Sequence, residues 1–180
     1  MFDELLLLVI DAQERLFDKI YLRENLQKRL HFVIDVATDL GIEIAFTEQY
    51  PEKLGETCST LRELSPKSPR FAKKTFSAFA CPEFLDWFEG KSFRHIMIVG
   101  LETPICIYQT VLDLMNRDIE CTLLTDAIGS RCPKDADMVL KNLRGANCHC
   151  LPSETVFYSV LQSSDHPLFK SFNEKVKNLY

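Results

Sequence analysis

The chain alternates between short, unbroken apolar runs and longer stretches whose apolar positions recur every three or four residues. The runs are Leu5–Ile10 (LLLLVI), Ile42–Thr47 (IEIAFT), His95–Gly100 (HIMIVG), Cys121–Asp126 (CTLLTD) and Cys148–Leu151 (CHCL). Runs of this length with little polar alternation read as strands buried on both faces. Between the first two, Leu26, Leu30, Val33, Ala37 and Leu40 keep helical spacing, and Gly41 supplies a stop. Pro82, Pro133 and Pro167 each open an amphipathic stretch and suit the first position of a helix, where the missing N–H costs nothing. Parallel crossovers lay helices over both faces of a sheet, so the pattern predicts an α/β fold, a three-layer α/β/α sandwich around a mostly parallel central sheet.

One segment breaks the rhythm. Glu48 to Arg70 holds three prolines and has no clear period; it reads either as a long loop of the kind that forms lids and binding loops or as a loop carrying a short helix around CSTLREL. The length, 180 residues, suits one domain over residues 1–180. The LLLLVI run is six residues long and follows Asp3 and Glu4, so it is neither a membrane span nor a signal-peptide core. Seven cysteines, an odd number in a chain large enough to fold without staples, point to reduced thiols and a cytoplasmic protein without disulfides. A net charge of −5 argues against nucleic acid as a partner, since phosphate backbones call for clustered Lys and Arg.

In open α/β sheets, ligands bind beyond the carboxyl ends of the strands. Asp11 stands there, directly after LLLLVI, with Gln13 two residues on. It is placed to act as a general base at the sheet's rim, or more simply to cap a turn. Cys106 stands six residues beyond the glycine that ends HIMIVG. With Thr103 as N-cap and Pro104 at the first helical position, its thiol falls in the first turn, where the helix dipole favours the thiolate. A buried cysteine acting as a small hydrophobe is the plainer alternative. Lys73 and Lys74 sit in RFAKKTFSAFACPEF. A strand there turns one of them inward, where an ammonium can hold a carboxylate ionised and stabilise charge developing on a substrate oxygen.

Taken together, LLLLVIDAQERLF, AKKTFSAF and VGLETPICIYQTVLDLMNRDIECTLLTDAIGSR resemble the isochorismatase-like cysteine hydrolases. That family carries Asp-x-Gln after its first strand, then Lys-x-x-aromatic-Ser, then a nucleophilic Cys after a Gly-x-Glu-type turn. FTEQYPEKLGET is further similar to the isochorismatase-domain-containing branch, some members of which carry a ribonuclease label. The resemblance implies a Rossmann-like sheet and a catalytic triad of Asp11, Lys73 and Cys106. The lysine is Lys73 because the family's lysine stands four residues before its Ser, here Ser77; a one-residue bulge would exchange it for Lys74. It also implies a cis peptide at Leu101–Glu102 that aims the Glu102 and Cys106 backbone N–H groups at an oxyanion, with Gln13 and Phe76 lining the substrate pocket. Asp126 and Arg131, in TDAIGSR, look structural.

The implied activity is hydrolysis of a small amide or related carbonyl substrate through a cysteine thioester. The alternatives are vinyl-ether hydrolysis of an isochorismate-like substrate, with Asp11 as proton donor, and a non-catalytic oligomeric binding protein of the same fold. Homo-oligomers are the rule in the family, and 13 Phe leave room for an apolar interface. No metal and no cofactor are expected. The chain has no histidine between His31 and His95, where relatives of the nicotinamidase type supply metal ligands, and Pro104 stands where isochorismatases often have His. His31, His95, His149 and His166 are scattered, and the two thiols of CHC make a poor zinc site without further ligands.

Overall fold

Every predicted run becomes a strand of one six-stranded sheet, joined by a further short strand at the lysine pair. The computed structural model describes residues 2, 4–144, 146 and 148–180. Its elements run β1 (Leu5–Ile10), α1 (Glu14–Phe17), α2 (Arg23–Asp39), β2 (Glu43–Gln49), α3 (Pro51–Leu54), α4 (Ser59–Arg62) and β3 (Arg70–Lys73). There follow α5 (Pro82–Glu89), β4 (His95–Leu101), α6 (Tyr108–Met115), β5 (Glu120–Gly129), α7 (Pro133–Arg144), β6 (Cys148–Leu151), α8 (Ser153–Leu161) and α9 (Phe169–Lys177). A 3-10 turn covers Ala78–Ala80 and a π-type turn Thr103–Ile107.

The strand order is β3-β2-β1-β4-β5-β6, and every neighbouring pair is parallel. Because successive strand residues point to opposite faces, β1 feeds two cores at once. Leu7 and Val9 pack with Leu30, Phe157 and Phe172 from α2, α8 and α9. Leu6, Leu8 and Ile10 pack with Phe84, Val111 and Leu143 from α5, α6 and α7. The result is the three-layer sandwich. The order reverses direction between β1 and β4, and the crevice beyond their carboxyl ends is where this topology accepts a ligand.

That crevice depends on Gly100. It pairs with Ile10, its φ is 124°, and a Cβ there would lie 2.1 Å from the Ile10 carbonyl oxygen. Only glycine lets β4 run this close to the end of β1.

Several boundaries differ from the sequence reading. β2 continues to Gln49 and β5 to Gly129, since parallel pairing carries the strands past their apolar runs. The 48–70 segment holds two four-residue helices, α3 and α4, the second being the short helix around CSTLREL. Pro82 and Pro133 do open α5 and α7. Pro167 does not open α9, which begins at Phe169 after a turn in which the Leu168 and Phe169 N–H groups donate to His166.

Candidate active site

Each strand that borders the crevice ends in a residue with left-handed backbone. Asp11 follows β1 at φ 53°, Tyr50 follows β2 at φ 44°, and Glu102 follows β4 at φ 59°. Such conformations cost non-glycine residues about 1–3 kcal/mol each and gather where the surroundings impose them, commonly at functional sites. Here they turn the chain sharply at three strand ends, around the volume beyond the carboxyl ends of the sheet.

Asp11 and Lys73 meet in that volume. Lys73 Nζ donates to Asp11 Oδ2 at 2.7 Å, and both side chains are closed to solvent. The other carboxylate oxygen accepts from Thr47 Oγ1 at 2.8 Å. Lys73 also donates to Gln49 Oε1 at 2.7 Å and to the Thr75 carbonyl at 3.3 Å, so the ammonium has no spare donor. Lys74 points the other way, is exposed and lies over the Tyr50 ring.

Cys106 completes the cluster. Its thiol is buried and its Sγ contacts Gln49 Oε1 at 3.9 Å. Burial pushes the thiol up to about 12, the neighbouring Asp11 carboxylate adds to the rise, and the Lys73 ammonium opposes it. The dipole expectation of a depressed value therefore does not hold in the resting protein, because desolvation outweighs the helix terminus. The turn also differs. Thr103 is not the N-cap: Glu102 is, and the Thr103 hydroxyl donates instead to the Gly129 carbonyl at 3.2 Å. The Leu101–Glu102 peptide is trans, the reversal being made by the left-handed Glu102.

Sequence reasoning assigned Gln13 and Phe76 to a pocket. Gln13 is buried and its amide is fully engaged: Nε2 donates to the Gln49 and Gly55 carbonyls, and Oε1 accepts from the Gln49 N–H at 2.7 Å. It clamps the 50–58 segment to the end of β1. Glu48 does the same from the other side, accepting from the Thr57 N–H and hydroxyl at 2.8 Å each. Phe76 is not drawn into the cluster. It is 51% exposed and borders an open surface cleft with Leu112 and Asn116.

Two further residues were missed. Gln49, whose side-chain Oε1 touches both Lys73 and Cys106, lies within a quoted motif but was given no role; its place at the end of the strand beside β1 was the available signal. Asp113, one turn beyond Thr110 on α6, accepts from Ser77 Oγ at 2.5 Å, while Ser77 Oγ accepts from the Phe79 N–H. The Ala78 N–H donates to Thr110 Oγ1, which itself donates to the Cys106 carbonyl at 2.7 Å. The serine of the Lys-x-x-Phe-Ser motif thus ties the lysine strand to the cysteine helix. Asp126 is structural, accepting from the Ser153 N–H and hydroxyl, and Arg131 pairs with Glu102 at 2.7 Å.

Fold and site together define a class: a parallel α/β protein with a closed carboxylate, ammonium and thiol at the point where strand order reverses. The chain belongs to the isochorismatase family, whose domain matches residues 5–155. It is 31% identical over 175 residues to isochorismatase domain-containing protein 2 of Bos taurus, covering 96% of this chain and 82% of that one. Among solved structures it is similar to the MAR1 ribonuclease from Caenorhabditis elegans, with 30% identity, a TM-score of 0.90, and 97% and 90% of the two chains covered. It also shares the fold of the YcaC gene product from Escherichia coli, an octameric hydrolase of unknown specificity, at 14% identity and a TM-score of 0.89 over 98% and 86% of the chains. Family membership supports a hydrolase. No helix among the described residues is long and apolar enough to cross a membrane.

Proposed function

We propose that the protein hydrolyses a small amide or related carbonyl compound through a thioester on Cys106, with Asp11 and Lys73 completing the triad. The observation that carries this reading is the buried Lys73–Asp11 pair at 2.7 Å beside a buried thiol. A thiol held neutral at rest cannot act as a standing thiolate. Its proton passes to Asp11 as sulfur attacks the carbonyl carbon, and the cluster's net charge is unchanged by the transfer, which suits a site closed to water. Negative charge then collects on the carbonyl oxygen, and we assign its stabilisation to the backbone N–H groups of Glu102 and Cys106. Asp11 returns its proton to the leaving amine. Water, deprotonated by Asp11, releases the acid and restores the thiol.

The vinyl-ether route asks Asp11 to begin as a proton donor. Its pairing with Lys73 presents it as a carboxylate, and this favours the thioester route. The small, closed cluster favours a small substrate. We further infer a homo-oligomer, supported by the octameric state of the structural neighbour from Escherichia coli and by the exposed Phe76 and Leu112, which border one cleft. Sedimentation of the purified chain tests that, and a monomer at micromolar concentration would count against it.

The test of the reaction is a panel of small amides followed by ammonia or amine release. Turnover is expected to vanish in Cys106→Ala, and a quenched wild-type reaction is expected to show Cys106 acylated by mass spectrometry. Turnover that survives Cys106→Ala sinks the thioester route.

A further inference from the structure

The CHC stretch plays no part in the site, which lies at the opposite end of the sheet. Cys121 and Cys148 are Cα partners on the parallel strands β5 and β6, and their sulfurs lie 3.6 Å apart. Neighbouring strands stand about 4.8 Å apart, inside the roughly 4.4–6.8 Å Cα separation that a disulfide spans. Both thiols are free. Joining the sulfurs therefore needs side-chain rotation rather than strand movement. Cys121 is fully buried, Cys148 is 6% exposed at the start of the last strand, and Cys150 follows on the same face, more exposed again.

We propose that Cys121 and Cys148 form an oxidisable dithiol that a hydroperoxide closes to a disulfide across the β5–β6 pair. Cys121 donates its S–H to the Cys148 sulfur, the more exposed of the two. Once Cys148 loses its own proton to solvent, that donated hydrogen bond supports a thiolate at the sulfur peroxide reaches first. The Cys148 thiolate attacks one peroxide oxygen, the O–O bond breaks, and the departing hydroxide takes the Cys121 proton to become water. Cys148 is then a sulfenic acid and Cys121 a thiolate. Cys121 attacks the Cys148 sulfur, the S–O bond breaks, and the second hydroxide is protonated by solvent. The two thiols lose two electrons and the peroxide becomes two waters. The Cys106 and Cys58 thiols lie beside Gln49 and Glu14 rather than a second sulfur, so neither has a partner with which to close a disulfide.

The experiment treats the purified protein with hydrogen peroxide, denatures it in N-ethylmaleimide and digests it without reductant. The expected result is one linked peptide pair through Cys121 and Cys148, lighter by two hydrogens than its parts and separated by dithiothreitol. Cys58 and Cys106 are expected to be recovered alkylated. Cys121→Ser and Cys148→Ser should each abolish the link, and Cys150→Ser, which alters neither partner, should keep it. Circular dichroism of each variant before oxidation guards against a loss caused by misfolding. The proposal is overturned if both cysteines are recovered alkylated at peroxide levels that oxidise the exposed Cys132, or if Cys148 pairs with Cys150 or proceeds to sulfinic acid instead.

Discussion

Replacing Asp11 by Asn should make Cys106 more reactive toward a simple thiol reagent while making the protein a poorer hydrolase. The thiol rests at about 12; burial is the main cause, Asp11 adds to it, and Lys73 pulls the other way. A full charge within a few ångströms moves a neighbouring group by roughly 1–3 pKa units. Each unit of decrease gives ten times more thiolate but lowers its nucleophilicity by a factor of about 2.5–3, a net gain of about 3–4-fold against a disulfide reagent. Asp11→Asn should therefore speed the reaction of Cys106 with 4,4′-dithiodipyridine by about 3- to 60-fold at about pH 8. Lys73→Met, which removes the opposing cation, should slow it by a similar factor. Peptide mass spectrometry assigns the mixed disulfide to Cys106 and separates it from the exposed Cys132. Each single variant strands one member of a buried ion pair at a cost of about 3–5 kcal/mol, so melting curves must show that both remain folded. The double variant removes both charges and should bring the rate back toward wild type. If the two single variants shift the rate in the same direction, or neither shifts it, the charge arrangement argued for the site is wrong.

Three other outcomes follow from the same structure. Cys58 and Cys106 hold their protons to about 12 against an ordinary 9.0, so the unfolded chain releases them first. Stability from these thiols is intact below pH 9.0 and is lost as pH rises toward 12, by about 2 kcal/mol each near pH 10.5; urea midpoints between pH 8 and 10.5 would show the decline, a shallower one in Cys58→Ala, and a flat profile would contradict it. Gly100→Ala places a Cβ 2.1 Å from the Ile10 carbonyl oxygen and should destabilise by about 3 kcal/mol or more or pull Asp11 out of place, measured by denaturant titration and by Cys106 reactivity. Although a relative at 30% identity is named a ribonuclease, a chain of net charge −5 should not retain single-stranded RNA at about 0.15 M salt in a filter-binding assay; RNA cleavage that disappears in Asp11→Asn would reverse that conclusion.

The central strands β1, β2, β4 and β5 were legible because their apolar runs are buried on both faces, whereas the exposed edge strand β3 is written as RFAK and has no such run. Their order was not, since nothing in LLLLVI or HIMIVG says which neighbour it takes. The continuation of β2 to Gln49 was hidden for a related reason: Glu48 and Gln49 are polar, and their burial is made tolerable by Thr57, Gln13 and Lys73, partners that adjacent sequence does not reveal. Asp11 and Cys106 could be placed by the rule that ligands sit beyond strand ends, whereas choosing Lys73 over Lys74 from the residues alone needed the phase of a four-residue strand. The thiol's ionisation was misjudged because the helix-terminus argument is local, and desolvation depends on every element that closes over the sulfur.

That misjudgement changes how the nucleophile we propose would work. A cysteine kept as a standing thiolate is exposed to oxidants and alkylating agents whenever the site is empty, and its reactivity is proportional to its ionised fraction. At about 12 that fraction near neutral pH is of order one in 10⁵. On the proposed reading, attack on a substrate is coupled to proton transfer to Asp11, the carboxylate beside the thiol, and the negative charge that Lys73 loses there reappears on the substrate oxygen. The same coupling makes a carbonyl substrate the trigger, since only a developing carbon–sulfur bond lowers the thiol's grip on its proton while Asp11 waits at hand. Resistance of Cys106 to peroxide, which burial imposes, and the proposed activity toward an amide, which the Asp11–Lys73 pair supports, therefore come from one closed cluster, and Lys73→Met should impair the second without conferring the susceptibility that the first prevents.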